Sequence, residues 1–289
     1  MIKKGIILAG GMGTRMSPLT KAVNKQLLPL YDKPLIYYPL SVLMLSGIKK
    51  ILIIVNKGQL NQFRKILPEK NNLGLSIEYK EQLKPVGLPQ AFTIGEKFIG
   101  KDKVAMILGD NFFYGQSLTK ILKKNIKFKS GAKIFIHPVK NPQLYGVATL
   151  NKNNKVSKLT EKPKKTKSNL AVTGLYFFDN KVVEITKKLK PSKRGELEII
   201  DLLNIYKRKN KLKAELIGRG GSWLDTGNIK DFYNASNFIS TIENRQGLKI
   251  ACLEEIALNN KWIGKKNVEQ SIIFYGNCDY SKYLKTLIN

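Results

Sequence analysis

Gly5-Ile6-Ile7-Leu8-Ala9-Gly10-Gly11-Met12-Gly13-Thr14-Arg15 is the stretch from which the fold can be read. From Gly5 to Ala9 the residues are almost continuously apolar, and the run stops at glycine. That texture fits a strand covered on both faces, as in a parallel sheet, rather than a half-exposed strand with alternating polarity. A glycine-rich loop directly after such a strand lies outside the carboxyl end of the sheet, where open α/β folds bind their ligands. A Walker loop would need Gly-Lys-Ser/Thr where this chain has Thr14-Arg15, and a dinucleotide fingerprint would need a third glycine in place of Met16. Glycines alone mark only a tight turn. The sequel, Met16-Ser17-Pro18-Leu19-Thr20 and then Asn24-Lys25-Gln26-Leu27-Leu28-Pro29, adds cations. Arg15 and Lys25 stand beside backbone amides, the combination that a triphosphate requires.

Working outward, the pattern predicts a helix over Ile36 to Leu45, with Pro34 near its start and Gly47 as its stop. A strand over Ile51 to Val55, a helix over Gln59 to Leu67 and a strand over Leu75 to Tyr79 follow. A helix over Gln90 to Phe98 and a strand over Val104 to Leu108 continue the alternation. Such a βαβα order implies an α/β fold built on a doubly wound, mostly parallel twisted sheet, Rossmann-like in arrangement. Beyond residue 130 the texture changes. Strands over Ala132 to Pro138, Val147 to Leu150 and Val156 to Leu159, with Asn153-Asn154 as a hairpin turn, read as an antiparallel excursion. Ala171 to Phe178 returns to buried strand, and Glu198 to Arg208 and Asn228 to Ile242 read as long helices. Leu216 to Leu224 supplies a strand and an active-site loop, and the end of the chain, with Trp262 and Phe274-Tyr275, reads as a helical or mixed extension.

A chain of 289 residues, 43% hydrophobic, can bury a substantial core. Its 51 basic and 21 acidic residues give a net charge of +30, which raises nucleic acid or an anionic membrane as partners. The distribution argues against both. The densest basic stretches, Lys152 to Lys167 and Lys187 to Arg194, contain no aromatic side chain to stack on a base. A general bias toward Lys, Asn and Ile accounts for the charge, and a basic surface would in either case steer anionic nucleotides inward. No apolar run reaches the ~18 residues of a membrane span, and the run after Lys3 and Lys4 is too short for a signal-peptide core. The expectation is a cytoplasmic protein with no specific nucleic-acid partner and no membrane. Cys252 and Cys278 read as reduced thiols, and His137, the single histidine, as a structural residue at a strand end.

Beyond the first loop, ordered motifs accumulate: Tyr31-Asp32-Lys33-Pro34, Gly109-Asp110-Asn111, Tyr145-Gly146-Val147, Glu161-Lys162-Pro163, Val172-Thr173-Gly174-Leu175-Tyr176, Arg194-Gly195-Glu196-Leu197-Glu198 and Trp223-Leu224-Asp225-Thr226-Gly227. With these the chain resembles, over nearly its whole length, the sugar nucleotidylyltransferases. Lys25-Gln26-Leu27-Leu28-Pro29 and Tyr37-Tyr38-Pro39 are similar to the glucose-1-phosphate thymidylyltransferase branch, whereas relatives that use UTP typically carry Lys-Glu-Met-Leu-Pro. The resemblance implies dTTP and glucose 1-phosphate as substrates, Mg²⁺ as cofactor and a homotetramer. UTP as nucleotide, or a non-catalytic sugar-nucleotide-binding protein on the same fold, are the alternatives. It also implies a nucleotidyltransferase core over residues 1–244, with the nucleotide part over about 1–130 and the sugar-phosphate part over about 131–227, and an oligomeric or regulatory extension over 245–289.

The resemblance distributes roles residue by residue. Asp110 and Asp225 become metal ligands, although the bare sequence allows each to be a mere helix cap. Arg15 holds the β and γ phosphates and Lys25 compensates charge near the α-phosphate; with the two aspartates they form the catalytic set. Leu8, Gly10, Gly11, Gly13, Thr14 and Gln26 surround the nucleotide, and Gln82 with Gly87 reads the pyrimidine base. Asn111, Tyr145, Gly146, Glu161, Lys162, Val172 and Glu196 take the sugar phosphate; without the resemblance they read as turn, core and surface positions. Many relatives also hold a downstream deoxysugar nucleotide between subunits, near Gly115 and Glu254-Glu255-Ile256-Ala257. There an aromatic residue and an arginine usually follow, where this chain has Leu258 and Asn259, and Thr119 stands in place of a frequent histidine.

Overall fold

The computed structural model describes residues 1 to 289. The chain starts with β1 (Lys4–Ala9), forms the short ribbon β2 (Pro29–Leu30) and β3 (Lys33–Pro34), and enters α1 (Tyr37–Leu45). It continues with β4 (Lys50–Asn56), α2 (Leu60–Ile66), β5 (Ser76–Gln82), α3 (Gln90–Ile94), α4 (Glu96–Ile99), β6 (Val104–Leu108), β7 (Asn111–Gly115) and α5 (Leu118–Asn125). The second half holds β8 (Ala132–Pro138), β9 (Gly146–Leu150), β10 (Val156–Glu161), β11 (Leu170–Phe178), α6 (Val182–Lys187), α7 (Ile199–Arg208), β12 (Leu212–Leu216) and β13 (Gly221–Asp225). The long α8 (Ile229–Gln246) then leads to α9 (Leu253–Asn259), α10 (Lys265–Tyr275) and α11 (Asp279–Thr286).

β1 lies inside the main sheet, parallel to β4 on one side and to β6 on the other. Its alternate side chains therefore enter two different cores. Ile7 and Ala9 pack in the layer that holds α1, with Leu40 and Leu43, while Ile6 and Leu8 pack in the layer of Phe92 and Ile200. This two-sided burial is what the apolar run demands, and it makes the fold a doubly wound α/β sheet. α1 is buried from Tyr37 to Met44 because the sheet covers one side and α9 the other. Pro39 is tolerated there because it lies in the first turn, where its missing N–H has no intrahelical acceptor.

β11 is the fork of the sheet. Along one edge it pairs antiparallel with β8. Along the other, Leu175 to Phe178 pair with β6, while Leu170 and Ala171 pair with β9. The antiparallel excursion of β9 and β10 thus diverges from the parallel block at Val172 to Gly174, and a cleft opens between them. β12 adds parallel to β8 at the far side.

Several local expectations need amendment. The helix over Gln90 to Phe98 is two pieces, α3 and α4, joined at Gly95, where a Cβ would come within 3.0 Å of Ile6 and 3.1 Å of Leu52. The strand and loop expected over Leu216 to Leu224 are the last residue of β12, the turn at residues 217–220 and most of β13. β7, α5 and α6 had no expectation at all. β7 matters most, because it pairs with β13 in a separate ribbon that places Asp225 opposite Asn111. His137 sits on β8 with Nδ1 3.2 Å from the Ile217 carbonyl, a structural position as expected. Both cysteines are free.

The entry to α1 and the end of α8 are joined by a buried ionic cluster. Lys33 contacts Asp32 and lies 3.1 Å from Glu243, and Lys249 bridges Asp32 at 2.5 Å and Glu243 at 3.0 Å. The Lys33 and Glu243 side chains are only 2% and 3% exposed, so neither charge is compensated by water. Glu243 also accepts the Ile250 N–H at 2.8 Å, which ties the start of the C-terminal helices to the same point. Further along, buried Glu254 accepts from the hydroxyls of Tyr275 at 2.9 Å and Tyr280 at 2.7 Å, closing α9, α10 and α11 on one another. Removing one partner of a buried pair strands the other, so Glu243→Ala is expected to cost about 3 kcal/mol in denaturant unfolding. Asp102→Ala, which removes the exposed pair with Lys4, is expected to cost under about 1 kcal/mol. Equal losses for the two variants would contradict the cluster's role.

Candidate active site

The strand order reverses at β1: the chain proceeds to β4 on one side and to β6 on the other. Ligands collect at such a switch point, outside the carboxyl ends of the strands. There the Gly10 loop leaves β1 and Asp110 leaves β6, and a cavity of about 350 Å³ lies between them and the fork of β11. The loop is held from behind. Asn56, at the end of β4, accepts the Gly11 N–H and donates to the Gly11 carbonyl, both at 2.9 Å. Gly13 adopts φ 60 and its carbonyl accepts from Thr20 Oγ1 at 2.8 Å, which starts the 3-10 turn Thr14–Met16 and swings Arg15 over the cavity. Buried Asn24 caps the next turn by accepting the Gln26 N–H at 2.8 Å and donates to the Ala9 carbonyl at 3.2 Å.

Asp110 and Asp225 meet through the β7–β13 ribbon. Thr226 donates both its N–H, at 3.0 Å, and its hydroxyl, at 2.8 Å, to the Asp110 carbonyl, fixing one aspartate segment on the other. The Lys25 ammonium binds Asp110 Oδ2, and Asn111 Nδ2 donates to Oδ1 at 3.0 Å. Burial raises the Asp110 pKa, but Lys25 and these hydrogen bonds outweigh it and hold the carboxyl below its ordinary range. Asp225 has no such cation in contact. Burial and the Asp110 charge push its pKa up to about 6, against the weaker pull of Lys25 and Arg15. Arg15 approaches Gly227, where a Cβ would lie 2.9 Å from the guanidinium and 3.0 Å from Asp225 Oδ1. The pair is short of positive charge on the Asp225 side, facing the cavity.

Asn111 holds this corner rigid. Its Oδ1 accepts from the Gly174 N–H at 3.0 Å and from Trp223 Nε1 at 2.6 Å, so the side chain spans β7, β11 and β13. It lines the cavity but is only 2% exposed, a support for Asp110 more than an open surface.

The opposite wall is formed by β9, β10 and the segment before α7. Tyr145, Gly146, Glu161, Lys162, Val172 and Glu196 all line the cavity. Gly146 is required by close packing, since a Cβ would lie 2.7 Å from Ile200 and 3.3 Å from Glu161. Tyr145 packs edge-on against Trp223 at 5.1 Å, and Lys162 turns at φ 38 immediately after β10. Arg194, which carried no assignment from the sequence, grips Glu198 with two bonds of 2.8 Å from one nitrogen and reaches Glu161 at 3.4 Å. Burial, then the Glu198 charge, raise the Glu161 pKa despite Lys162 and Arg194. The signal for Arg194 was present in its motif, but a Lys- and Arg-rich stretch offers no contrast by which to choose it.

Leu8, Gly10, Arg15, Gln26, Asp110 and Asp225 also line the cavity, whereas Gly11, Gly13, Thr14, Lys25, Gln82 and Gly87, expected around the nucleotide, are not among its lining residues. Gln26 is 3% exposed and its Oε1 has no hydrogen-bond partner in the protein. Gln82 touches the cavity through Gly10, because a Cβ on Gly10 would overlap Gln82 Oε1. Gly87, at φ 116, bridges Leu197 so closely that any Cβ would strike its backbone, which joins the loop after β5 to the segment before α7. A second cavity, of about 290 Å³, lies by Gly115, Thr119, Lys249 and Glu255; Leu258 and Asn259 are absent from its wall. Its one lining cation, Lys249, is already held by Asp32 and Glu243.

A nucleotidyl transferase family profile matches residues 4–242, from β1 into α8. The chain is 50% identical over 285 residues to a glucose-1-phosphate thymidylyltransferase of Neisseria meningitidis, covering 99% of each chain. It is 46% identical over 286 residues to that of Mycolicibacterium smegmatis, again covering 99% of each. Among solved structures, a protein of Bacillus anthracis described as a glucose-1-phosphate thymidylyltransferase superposes with a TM-score of 0.75 at 39% identity, over 81% of this chain and 94% of its own. A UDP-glucose pyrophosphorylase superposes at 0.73 with 27% identity, over 84% and 100%. A chain that shares half its residues with such enzymes from end to end, and folds as they do around this cavity, belongs to the nucleotidyl transferase family and, within it, to the glucose-1-phosphate thymidylyltransferases.

Proposed function

We propose that this chain transfers the thymidylyl group of dTTP to glucose 1-phosphate, giving dTDP-glucose and pyrophosphate. The observation that carries the reading is the convergence of two half-buried aspartates with Lys25 and Arg15 at the switch point, opposite a wall bearing Lys162 and Arg194. Two polyanions must approach each other in this reaction, and the residues divide the charge between them. A phosphate oxygen of glucose 1-phosphate attacks the α-phosphorus of dTTP; the new O–P bond forms as the bond to the β-phosphate oxygen breaks, and pyrophosphate departs in line. No protein nucleophile or proton transfer is needed, so the work of the site is positioning and charge stabilisation. Arg15, exposed above the Gly10 loop, is placed to hold the departing pyrophosphate, and Lys25 to balance the charge at the α-phosphate.

The donor set fits Mg²⁺, which is commonly bound by one or two carboxylates plus substrate phosphates and water rather than by an all-protein cage. Asp110 and Asp225 would hold it, and the unbalanced charge at Asp225 supports that assignment. Bound there, the ion would neutralise phosphate charge as the transition state develops. Under this reading Asp225→Asn lowers turnover by about two orders of magnitude, whereas Arg15→Ala lowers kcat more than it changes the KM for glucose 1-phosphate. Steady-state pyrophosphate release measures both. Full activity of Asp225→Asn, or of the wild type in excess chelator, would remove the metal assignment.

We also infer that end-product control is weak. The second cavity lacks an arginine fork and a free cation, and losing a charge-assisted contact to a diphosphate removes about tenfold to a hundredfold in affinity. Titration of dTDP-rhamnose against initial rate, with dTTP saturating, is expected to show little inhibition. Potent non-competitive inhibition would show that other residues serve the site. A homotetramer and a cytoplasmic location complete the reading and rest on the family resemblance.

A further inference from the structure

We propose that Gln90 is a positioning residue that sets the base specificity of the site by locking the Gln82 amide in one orientation. The inference rests on the reading above that the base held beside Gln82 is a pyrimidine imide.

Gln90 is the first residue of α3, and its Oε1 receives two hydrogen bonds, from the Val86 N–H at 3.0 Å and from Gln82 Nε2 at 2.6 Å. The first of these decides the second. A backbone N–H can only donate, so the Gln90 atom facing Val86 is its oxygen; that oxygen can only accept, so the Gln82 atom facing it is the amide nitrogen. Gln82 Oε1 is consequently turned the other way, toward Gly10 at the cavity edge, and no donor within the protein reaches it. Gln82 as a whole is only 3% exposed, and its unclaimed acceptor lies against Gly10, which lines the cavity. Leaving such a group unpaired is costly, which makes it selective for a partner that donates.

The chemistry of the bases gives that selectivity its meaning. Thymine and uracil present an N3–H donor, whereas N3 of cytosine is an acceptor. A glutamine free to rotate its amide could offer oxygen to the one or nitrogen to the other and would discriminate poorly. With Gln90 holding the nitrogen, only the oxygen is presented, and cytosine meets two opposed acceptors. The Val86–Gly87 backbone is fixed independently of Gln90, because the Leu197 N–H donates to the Val86 carbonyl at 2.7 Å and Gly87 bridges Leu197. Removing the Gln90 acceptor therefore frees the Gln82 amide without releasing the loop.

The test is kcat/KM for dTTP and for dCTP, each with glucose 1-phosphate, in wild type, Gln90→Met and Gln90→Glu. Gln90→Met removes the acceptor and is expected to lower the dTTP to dCTP preference by at least about tenfold, with dTTP turnover falling and dCTP turnover steady or rising. Gln90→Leu, which removes the same acceptor with a different shape, has to give the same shift, and it carries the test should Gln90→Met fold poorly. Gln90→Glu keeps an acceptor for both donors and is expected to retain the preference. Equal losses for both nucleotides, or an unchanged ratio in Gln90→Met and Gln90→Leu, would overturn the proposal. A wild type that does not prefer dTTP to dCTP would instead sink the reading of the base site itself.

Discussion

Two half-buried carboxylates held close to one another repel, and the active face of this protein is organised around holding Asp110 and Asp225 together. The Lys25 ammonium balances one of them; the other is left with its pKa pushed up to about 6. Holding such a pair requires backbone that cannot retreat. β7 and β13 supply it by pairing in their own ribbon, with Thr226 bonded twice to the Asp110 carbonyl. The Asn111 side chain then fastens that ribbon to β11 through Gly174 and cross-links its two strands through Trp223. The site is assembled from segments over a hundred residues apart, and each is anchored to the main sheet or to a partner already anchored there.

The fork of β11 is the second constraint. By pairing with β6 at one end and β9 at the other, β11 keeps the sheet continuous while its middle residues, Val172 to Gly174, pair with neither and leave the cleft. Glycine at 174 is needed because the Asn111 amide occupies the space where a side chain would be. The bridge of Gly87 to Leu197, with the Leu197 N–H bonded to the Val86 carbonyl, ties the loop after β5 to the segment that carries Arg194 and Glu198.

Much of this was legible in the sequence, and for a definite reason. Apolar runs such as Gly5 to Ala9 and Val104 to Leu108 are too short for a buried helix and too evenly apolar for a half-exposed strand, and glycine follows each of them. The sequence reading failed where structure depends on partners rather than on local pattern. β7, Asn-Phe-Phe-Tyr-Gly, is a strand because β13 lies beside it, and no periodicity announces that. The break at Gly95 is set by the proximity of Ile6 and Leu52. Within the site, motif residues were identifiable one at a time, but their structural partners were not: Asn111 reads as a ligand contact in sequence, and in space it lines the cavity and also braces three strands, while Gln90 and Arg194 are distinguished only by the atoms they touch.

The reaction assigned to the cavity at the β1–β6 switch point joins the α-phosphate of dTTP to glucose 1-phosphate. The most direct measurement supplies dTTP labelled with ³²P at the α position, together with glucose 1-phosphate, and separates the products. Label recovered in dTDP-glucose, with unlabelled pyrophosphate released in equal amount, is the predicted result. Label recovered as free dTMP, or sugar nucleotide formed from UTP but not from dTTP, would contradict it.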